Sequence, residues 1–276
     1  MEDEPTMKPI APESGPAYLF CPASRPDRYQ KALDAADFAI LDLEDAVAPA
    51  DKASARQALI ENPVDPDAVI VRVNAIGTPD HALDLKALEQ TAYGRIMVPK
   101  AEDPEAIAQL DQFEVIALCE TARGVLLASA IAEVPCVVAL MWGAEDLIVS
   151  LGGRSSRRAD SSYLDVAQQA RSMVLLAAGA QGVAAIDAVV LDLHSNQPLQ
   201  RESLDAAASG FAGKACIHPN QVEAIRATWE PSSDQVKWAR QVLDAVNGGG
   251  VEVVEGLMID EPLVRLARNV LKDAQD

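Results

Sequence analysis

The stretch "FAILDLEDAV", residues 38–47, decides the fold, because it opens as a buried strand and closes in acids. Ile40, Leu41 and Leu43 call for a core, yet Asp42, Glu44 and Asp45 stand among and after them. Side chains alternate along a strand, so Asp42 and Glu44 share one face while Leu41, Leu43 and Asp45 share the other. A buried carboxylate without a partner costs several kcal/mol. Such a strand makes sense where its end meets a cationic centre.

Similar runs recur along the chain: "AYLFCPAS" (17–24), "AVIVRVN" (68–74), "RIMVPKA" (95–101), "EVIALCE" (114–120), "CVVALMWG" (136–143), "IDAVVLD" (186–192) and "KACIHP" (214–219). Several are nearly continuous apolar runs, which suits parallel strands covered on both faces. Amphipathic segments lie between them: "RPDRYQKALDAAD" with Pro26 near a helix start, "ADKASARQALIEN" and "TPDHALDLKALEQ". Eight βα units in 276 residues predict an α/β fold of the (β/α)8 TIM-barrel type. An open doubly wound sheet would want a glycine-rich turn after its first strand, and "CPASRPDR" lacks one.

Residues 17–231 are expected to form the barrel, preceded by a disordered lead-in over 1–16. Residues 232–276 read as a C-terminal helical extension and lid: a helix near 232–246, a hinge at "NGGG" (247–250), then "EGLMIDEPLVRLARNVLKDA".

Hydrophobic residues make up 49% of the chain, enough for a sizeable core. Lys+Arg 23 against Asp+Glu 42 gives a net charge of -19, which argues against a nucleic-acid surface. A phosphorylated small ligand held by a few local Lys and Arg residues stays compatible with that balance. No apolar run approaches the roughly 20 residues needed to span a membrane. The N-terminus, "MEDEPTMKPIAPESGPA", is acidic and Pro-rich, unlike a signal peptide. Cys21, Cys119, Cys136 and Cys216 are far apart in apolar segments, so buried reduced thiols are expected, in a cytoplasmic protein.

In a barrel the reaction site forms at the C-terminal ends of the strands. Those ends supply Ser24-Arg25, Asp42-Glu44-Asp45, Arg72-Asn74, Lys100, Glu120, Glu145-Asp146, Asp192 and His218. One such residue means little, but "LDLED", "VRVN", "VPKAE", "CETARG" and "WGAEDL" occur together. With these segments, with "LFCPASRPDR" before them and "GKACIHPNQV" and "GLMIDEP" after, the chain resembles the HpcH/HpaI aldolase/citrate lyase family. Within it, the likeness is to the citrate lyase beta-subunit-like branch of magnesium-dependent carbon–carbon lyases. The resemblance implies a barrel, assembly as a homotrimer or hexamer, and cleavage of 3-hydroxyacyl thioesters of CoA or of an acyl carrier.

It also implies roles for single residues. Glu120 and Asp146 match the metal-ligand positions, with Glu145 as an alternative to Asp146. Two acids converging at adjacent strand ends repel unless a cation lies between them, and Mg²⁺ accepts two carboxylates with waters and substrate oxygens. Arg72 is costly on an interior strand without a partner. It either neutralises Asp42 or Glu44, or clamps the thioester oxygen as enolate charge develops, or does both. Glu44 and Asp45 would orient Arg72 or reach the metal's waters, while Asp42 stays open between a structural and a functional part. Arg25 and Lys100 are candidates for the CoA end, as substrate-binding cations. Asp260 matches a lid aspartate that completes a neighbouring subunit's site and would act as acid/base at the thioester α-carbon; otherwise it is a helix N-cap. His218 reads as a hydrogen-bonded structural residue, His81 as part of an exposed helix pattern and His194 as a loop residue. No Ser-His-Asp order suggests triad hydrolysis.

The expected activity is Mg²⁺-dependent cleavage of a citramalyl-CoA- or malyl-CoA-like thioester to a 2-oxo acid and acetyl-CoA or a homologue. Alternatives are a citrate lyase beta subunit acting on citryl-acyl carrier protein and a catalytically idle CoA-binding subunit.

Overall fold

A computed structural model describes residues 9–247, 253–254 and 257–274. Eight parallel strands close into a barrel: β1 (Ala17–Pro22), β2 (Phe38–Asp42), β3 (Val69–Arg72), β4 (Arg95–Val98), β5 (Glu114–Cys119), β6 (Val137–Trp142), β7 (Ala184–Asp187) and β8 (Gly213–Cys216). β8 pairs back onto β1, with Tyr18 opposite Ala215. The expected (β/α)8 architecture is the one found, with helices on the connections between strands.

Alternation explains what fills the barrel. Phe38, Ile40, Ile70, Met97, Ile116 and Met141 belong to one buried cluster, and Tyr18 stacks on Phe38 at 4.8 Å. Asp42 follows Phe38 and Ile40 at a spacing of two, and Arg72 follows Ile70 likewise, so both stand on the inner face at the strands' C-terminal ends.

The opening acids divide at this point. β2 ends at Asp42, so Glu44 and Asp45 lie in the following loop rather than on the strand. Asp42 itself ends it. Its carboxylate accepts from the backbone N–H of Glu44 at 2.9 Å and of Ala46 at 3.0 Å, a local turn that competes with the ladder.

The seventh strand also differs from its sequence expectation of 186–192. It runs over Ala184–Asp187, and Asp192 lies in the loop beyond, accepting from the His194 N–H at 2.8 Å. A continuous apolar run has no alternation to fix its register, and the misplaced boundary hid Asp187. Ile186 faces the barrel interior, so Asp187 faces the helices. There its carboxylate takes Lys214 Nζ at 2.8 Å, Arg171 Nε at 2.8 Å and the Trp142 indole N–H at 2.7 Å. Glu202, from the helix Asn196–Ser209, lies 3.5 Å from the same Lys214 ammonium and pairs with Arg157.

The expected lead-in is tied down at its end. Pro12–Ser14 form a 3-10 turn and the Lys214 N–H donates to the Pro16 carbonyl at 2.8 Å. Residues 1–8 lie outside the described residues.

The chain forms two compact units, Met1–Ile225 and Arg226–Asp276. In the second, helices Ser233–Asn247 and Glu261–Asp273 share a core of Ala239, Val242, Val264 and Ala267. Val253–Val254 and Leu257–Met258 pair as a short antiparallel ladder. The hinge glycines Gly248–Gly250 lie outside the described residues. Among the described residues, no helix is long and apolar enough to cross a membrane.

The Asp187 cluster gives a first prediction. Burial acts to raise its carboxyl pKa, but Lys214 and Arg171 outweigh that and hold it at about 2, below the ordinary 3.8. A depressed carboxylate contributes stability that is present above the unfolded value and lost as pH falls towards the folded one. Acid unfolding should therefore steepen between about pH 4 and about pH 2. Lys214→Met should cost about 3 kcal/mol in urea unfolding at neutral pH, by stranding part of that charge. A loss below about 1 kcal/mol would mean that Arg171 alone holds Asp187.

Candidate active site

Asp42 and Arg72 are opposite one another in the β2–β3 register. Arg72 donates Nε to Asp42 Oδ1 at 2.7 Å and Nη2 to Oδ2 at 2.6 Å, a bidentate pair that fixes the guanidinium plane. The Phe20 ring lies 4.8 Å below the guanidinium carbon, and Glu44 Oε2 is 3.2 Å from Nη1. Asp42 is therefore Arg72's structural partner and the strand's terminator. Glu44 also touches Arg72, and burial raises its pKa although Arg72 and Lys100 oppose that.

The loops after β2 and β3 are tied together beneath these residues. Lys52 Nζ donates to the Leu43 and Glu44 carbonyls at 3.0 and 3.2 Å and to Asn74 Oδ1. Asn74 donates its backbone and side-chain N–H groups to Asp84 Oδ2, both at 2.7 Å, and Asp84 pairs with Arg56. His81 belongs to this scaffold. It is buried rather than on an exposed helix face, with Nδ1 2.8 Å from the Asn74 carbonyl. Lys52, Arg56 and Asp84 carried no sequence signal of their own, since a helix-face charge usually meets water.

Glu120 follows β5 and Asp146 lies in the first turn of the helix Ala144–Ser150 after β6. Glu120 is buried, and its Oε1 accepts the Lys100 backbone N–H at 3.0 Å. Gly143 makes the room: a Cβ there would lie 2.9 Å from both Glu120 Cβ and Oε2. Burial first, and then the charge of Asp146, push the Glu120 carboxyl up to about 8. Glu145 is turned elsewhere, accepting from Ser156 Oγ at 2.8 Å. Asp146 is thus the acid of "GAEDL" that faces Glu120's field.

Lys100 reaches into the same space. Its Nζ lies 2.5 Å from Glu44 Oε1 and 3.9 Å from both Glu120 Oε1 and Asp146 Oδ1. The structure thus gathers Arg72, Glu44, Lys100, Glu120 and Asp146 at one mouth of the barrel.

Other residues fall differently. Arg25 is half-exposed and paired with its neighbour Asp27 at 2.9 Å. Asp45 is exposed beside this mouth, and its charge acts on Glu44 and Lys100. His218 caps the 3-10 turn Pro219–Gln221 in a reciprocal capping box. Asp260 caps the helix Glu261–Asp273, accepting the Leu263 N–H at 3.1 Å, and is exposed.

Glu120 and Asp146 suit a hard divalent cation. They are oxygen donors whose mutual repulsion a cation would reverse, and Gly143 leaves Glu120 Oε2 unobstructed. Among the described residues, no group of three or more His, Cys, Asp or Glu side chains forms a closed cage. Waters and substrate must then complete the coordination, as Mg²⁺ commonly allows.

Proton competition follows from the raised Glu120. Mg²⁺ needs the carboxylate, so its calorimetric affinity should rise from about pH 6 to about pH 8 and then level off. Glu120→Gln should remove that slope along with most of the affinity. A flat wild-type profile would count against Glu120 as the proton-linked ligand.

Residues 17–219 match the model of the family described as HpcH/HpaI aldolase/citrate lyase. A citrate lyase subunit beta-like protein of Mycobacterium tuberculosis is 51% identical over 262 residues, covering 95% of this chain and 96% of its own. The mitochondrial citramalyl-CoA lyase of Homo sapiens is 33% identical over 269 residues, covering 85% of this chain and 78% of its own. Among solved structures, protein CitE of M. tuberculosis in complex with magnesium, acetoacetate and coenzyme A aligns with a TM-score of 0.94. That match is 50% identical and covers 96% of this chain and 100% of the other. The order of motifs, the closed barrel and the acids at its mouth agree with these likenesses, and the chain belongs to the HpcH/HpaI aldolase/citrate lyase family.

Proposed function

We propose that this carbon–carbon lyase is Mg²⁺-dependent and cleaves a 3-hydroxyacyl-CoA thioester to a 2-oxo acid and acetyl-CoA or a homologue, with citramalyl-CoA as the leading substrate. The observation that carries the reading is the juxtaposition of the Glu120–Asp146 pair with the fixed Arg72 guanidinium. The named activity of the human relative and the ligands of the M. tuberculosis structure support the substrate class.

Glu120 and Asp146 would hold Mg²⁺, which when bound supplies positive charge to polarise and orient the substrate's carboxylate and hydroxyl oxygens. Arg72 answers the other half of the molecule. When the hydroxyl passes its proton to solvent and the carbon–carbon bond breaks to leave a 2-oxo acid, the electron pair passes to the thioester as an enolate. A guanidinium already fixed by Asp42 and Glu44 can meet that charge without reorganising. Asp45 and Glu44 shape the field around Arg72. Asp260 delivers the proton to the enolate carbon, on a lid from a neighbouring copy in a homotrimer or hexamer. Arg25 is the candidate cation for the CoA end, and Lys100 is a candidate substrate-binding cation beside the acids it meets. Four free cysteines are consistent with a cytoplasmic setting. Citryl-acyl carrier protein is the alternative substrate, and a parallel assay with CoA and carrier thioesters separates the two.

Three outcomes test the reading. Chelation should abolish lyase activity, Mg²⁺ or Mn²⁺ should restore it, and Glu120→Ala or Asp146→Ala should lose metal binding in a folded barrel. Full activity in either variant would sink the metal assignment. Arg72→Lys should lower turnover by about 10²–10³, because a point charge lacks the planar fork. A change confined to KM would make Arg72 a uniform binding residue instead. Co-refolding inactive Asp260→Ala with inactive Glu120→Ala subunits should recover part of the activity. No recovery from mixed oligomers verified by mass would remove Asp260 from a shared site.

A further inference from the structure

We infer that the Lys100 ammonium is a stand-in cation that shares the carboxylates of the metal seat and gives up its contacts with Glu120 and Asp146 when Mg²⁺ arrives. The inference rests on the assignment of Mg²⁺ to Glu120 and Asp146. Its basis is one lysine reaching three acids: Nζ is 2.5 Å from Glu44 Oε1 and 3.9 Å from an oxygen of each of Glu120 and Asp146.

Charge explains why such a group belongs there. The bidentate bond with Arg72 takes up Asp42. Once all three are ionised, as metal binding requires, Glu44, Glu120 and Asp146 set three negative charges against the single positive charge of Lys100. A divalent cation brings that local balance to zero with Lys100 still on Glu44. Without the cation, the Lys100 ammonium is within 3.9 Å of an oxygen of each of the three acids. Arg72 cannot take this part, because Asp42 and the Phe20 ring hold it in one plane.

The backbone serves the same arrangement. Lys100 has φ 50, in the left-handed region where a residue other than glycine is uncommon. In that conformation its N–H donates to Glu120 Oε1 at 3.0 Å while its side chain returns over the acids. One residue thus aims the metal carboxylate through its main chain and screens it through its side chain. The side chain keeps 35% of its surface exposed, which leaves it a path outward.

Removing the ammonium should therefore favour the metal. Lys100→Met should bind Mg²⁺ at least about tenfold more tightly by calorimetry, since a like charge near the seat is gone. Its melting temperature in chelator should fall below that of the wild type, and Mg²⁺ should raise it by more than it raises the wild type. Lys100→Gly, which relieves the left-handed backbone and keeps the N–H, should show the same tightening and so separate charge from strain. Unchanged or weaker affinity in both variants would overturn the inference. If neither variant folds, crystals of the wild-type protein in Mg²⁺ and in chelator decide. Nζ withdrawn from Glu120 and Asp146 only with Mg²⁺ supports it, and Nζ still between them beside bound metal overturns it. A wild-type protein that binds no Mg²⁺ would instead sink the underlying metal assignment.

Discussion

The bidentate bond between Asp42 and Arg72 joins neighbouring strands at the point where the apolar barrel gives way to its polar mouth. Each partner is costly in that place alone, and each makes the other tolerable. Asp42 then spends its remaining lone pairs on the Glu44 and Ala46 amides, which ends β2 and turns Glu44 back towards Arg72. From that single contact follow the orientation of the guanidinium, the path of the loop and the placing of the acid that Lys100 meets.

Charge is arranged differently in the two parts of the barrel. Around Asp187 the cations Lys214 and Arg171 hold the carboxyl at about 2, so its charge is met within the protein. Around Glu120 the carboxyl is pushed up to about 8, because burial and Asp146 outweigh Lys100 and Arg72. The first arrangement is that of a scaffold at rest. The second leaves a deficit of positive charge, and such imbalances mark places where a ligand completes the electrostatics.

Much of this was legible in the sequence, for physical reasons that differ from residue to residue. The barrel showed because uninterrupted apolar runs alternated with amphipathic segments, a pattern that few folds share. Glu120 and Arg72 stood out because a charge beside a buried strand is expensive. Asp187 and Lys214 escaped notice although they are buried still more deeply. Each sits inside a short strand whose register the sequence left open, and their partners are one another, Trp142 on β6, and Arg171 and Glu202 on two different helices. His81 was misjudged for a related reason: helical periodicity marks a face, but not which loop will cover that face.

Gly143 carries a consequence for how relatives should be compared. The hydrogen that stands where other residues carry a Cβ is what lets Glu120 occupy its position, since any larger group would meet that carboxylate at 2.9 Å. A duplicated copy could therefore lose its chemistry while keeping every acid in place, by a single change two residues before its Glu145 counterpart. The glycine acts as a silent marker of competence, and an inventory of charged residues would pass over it.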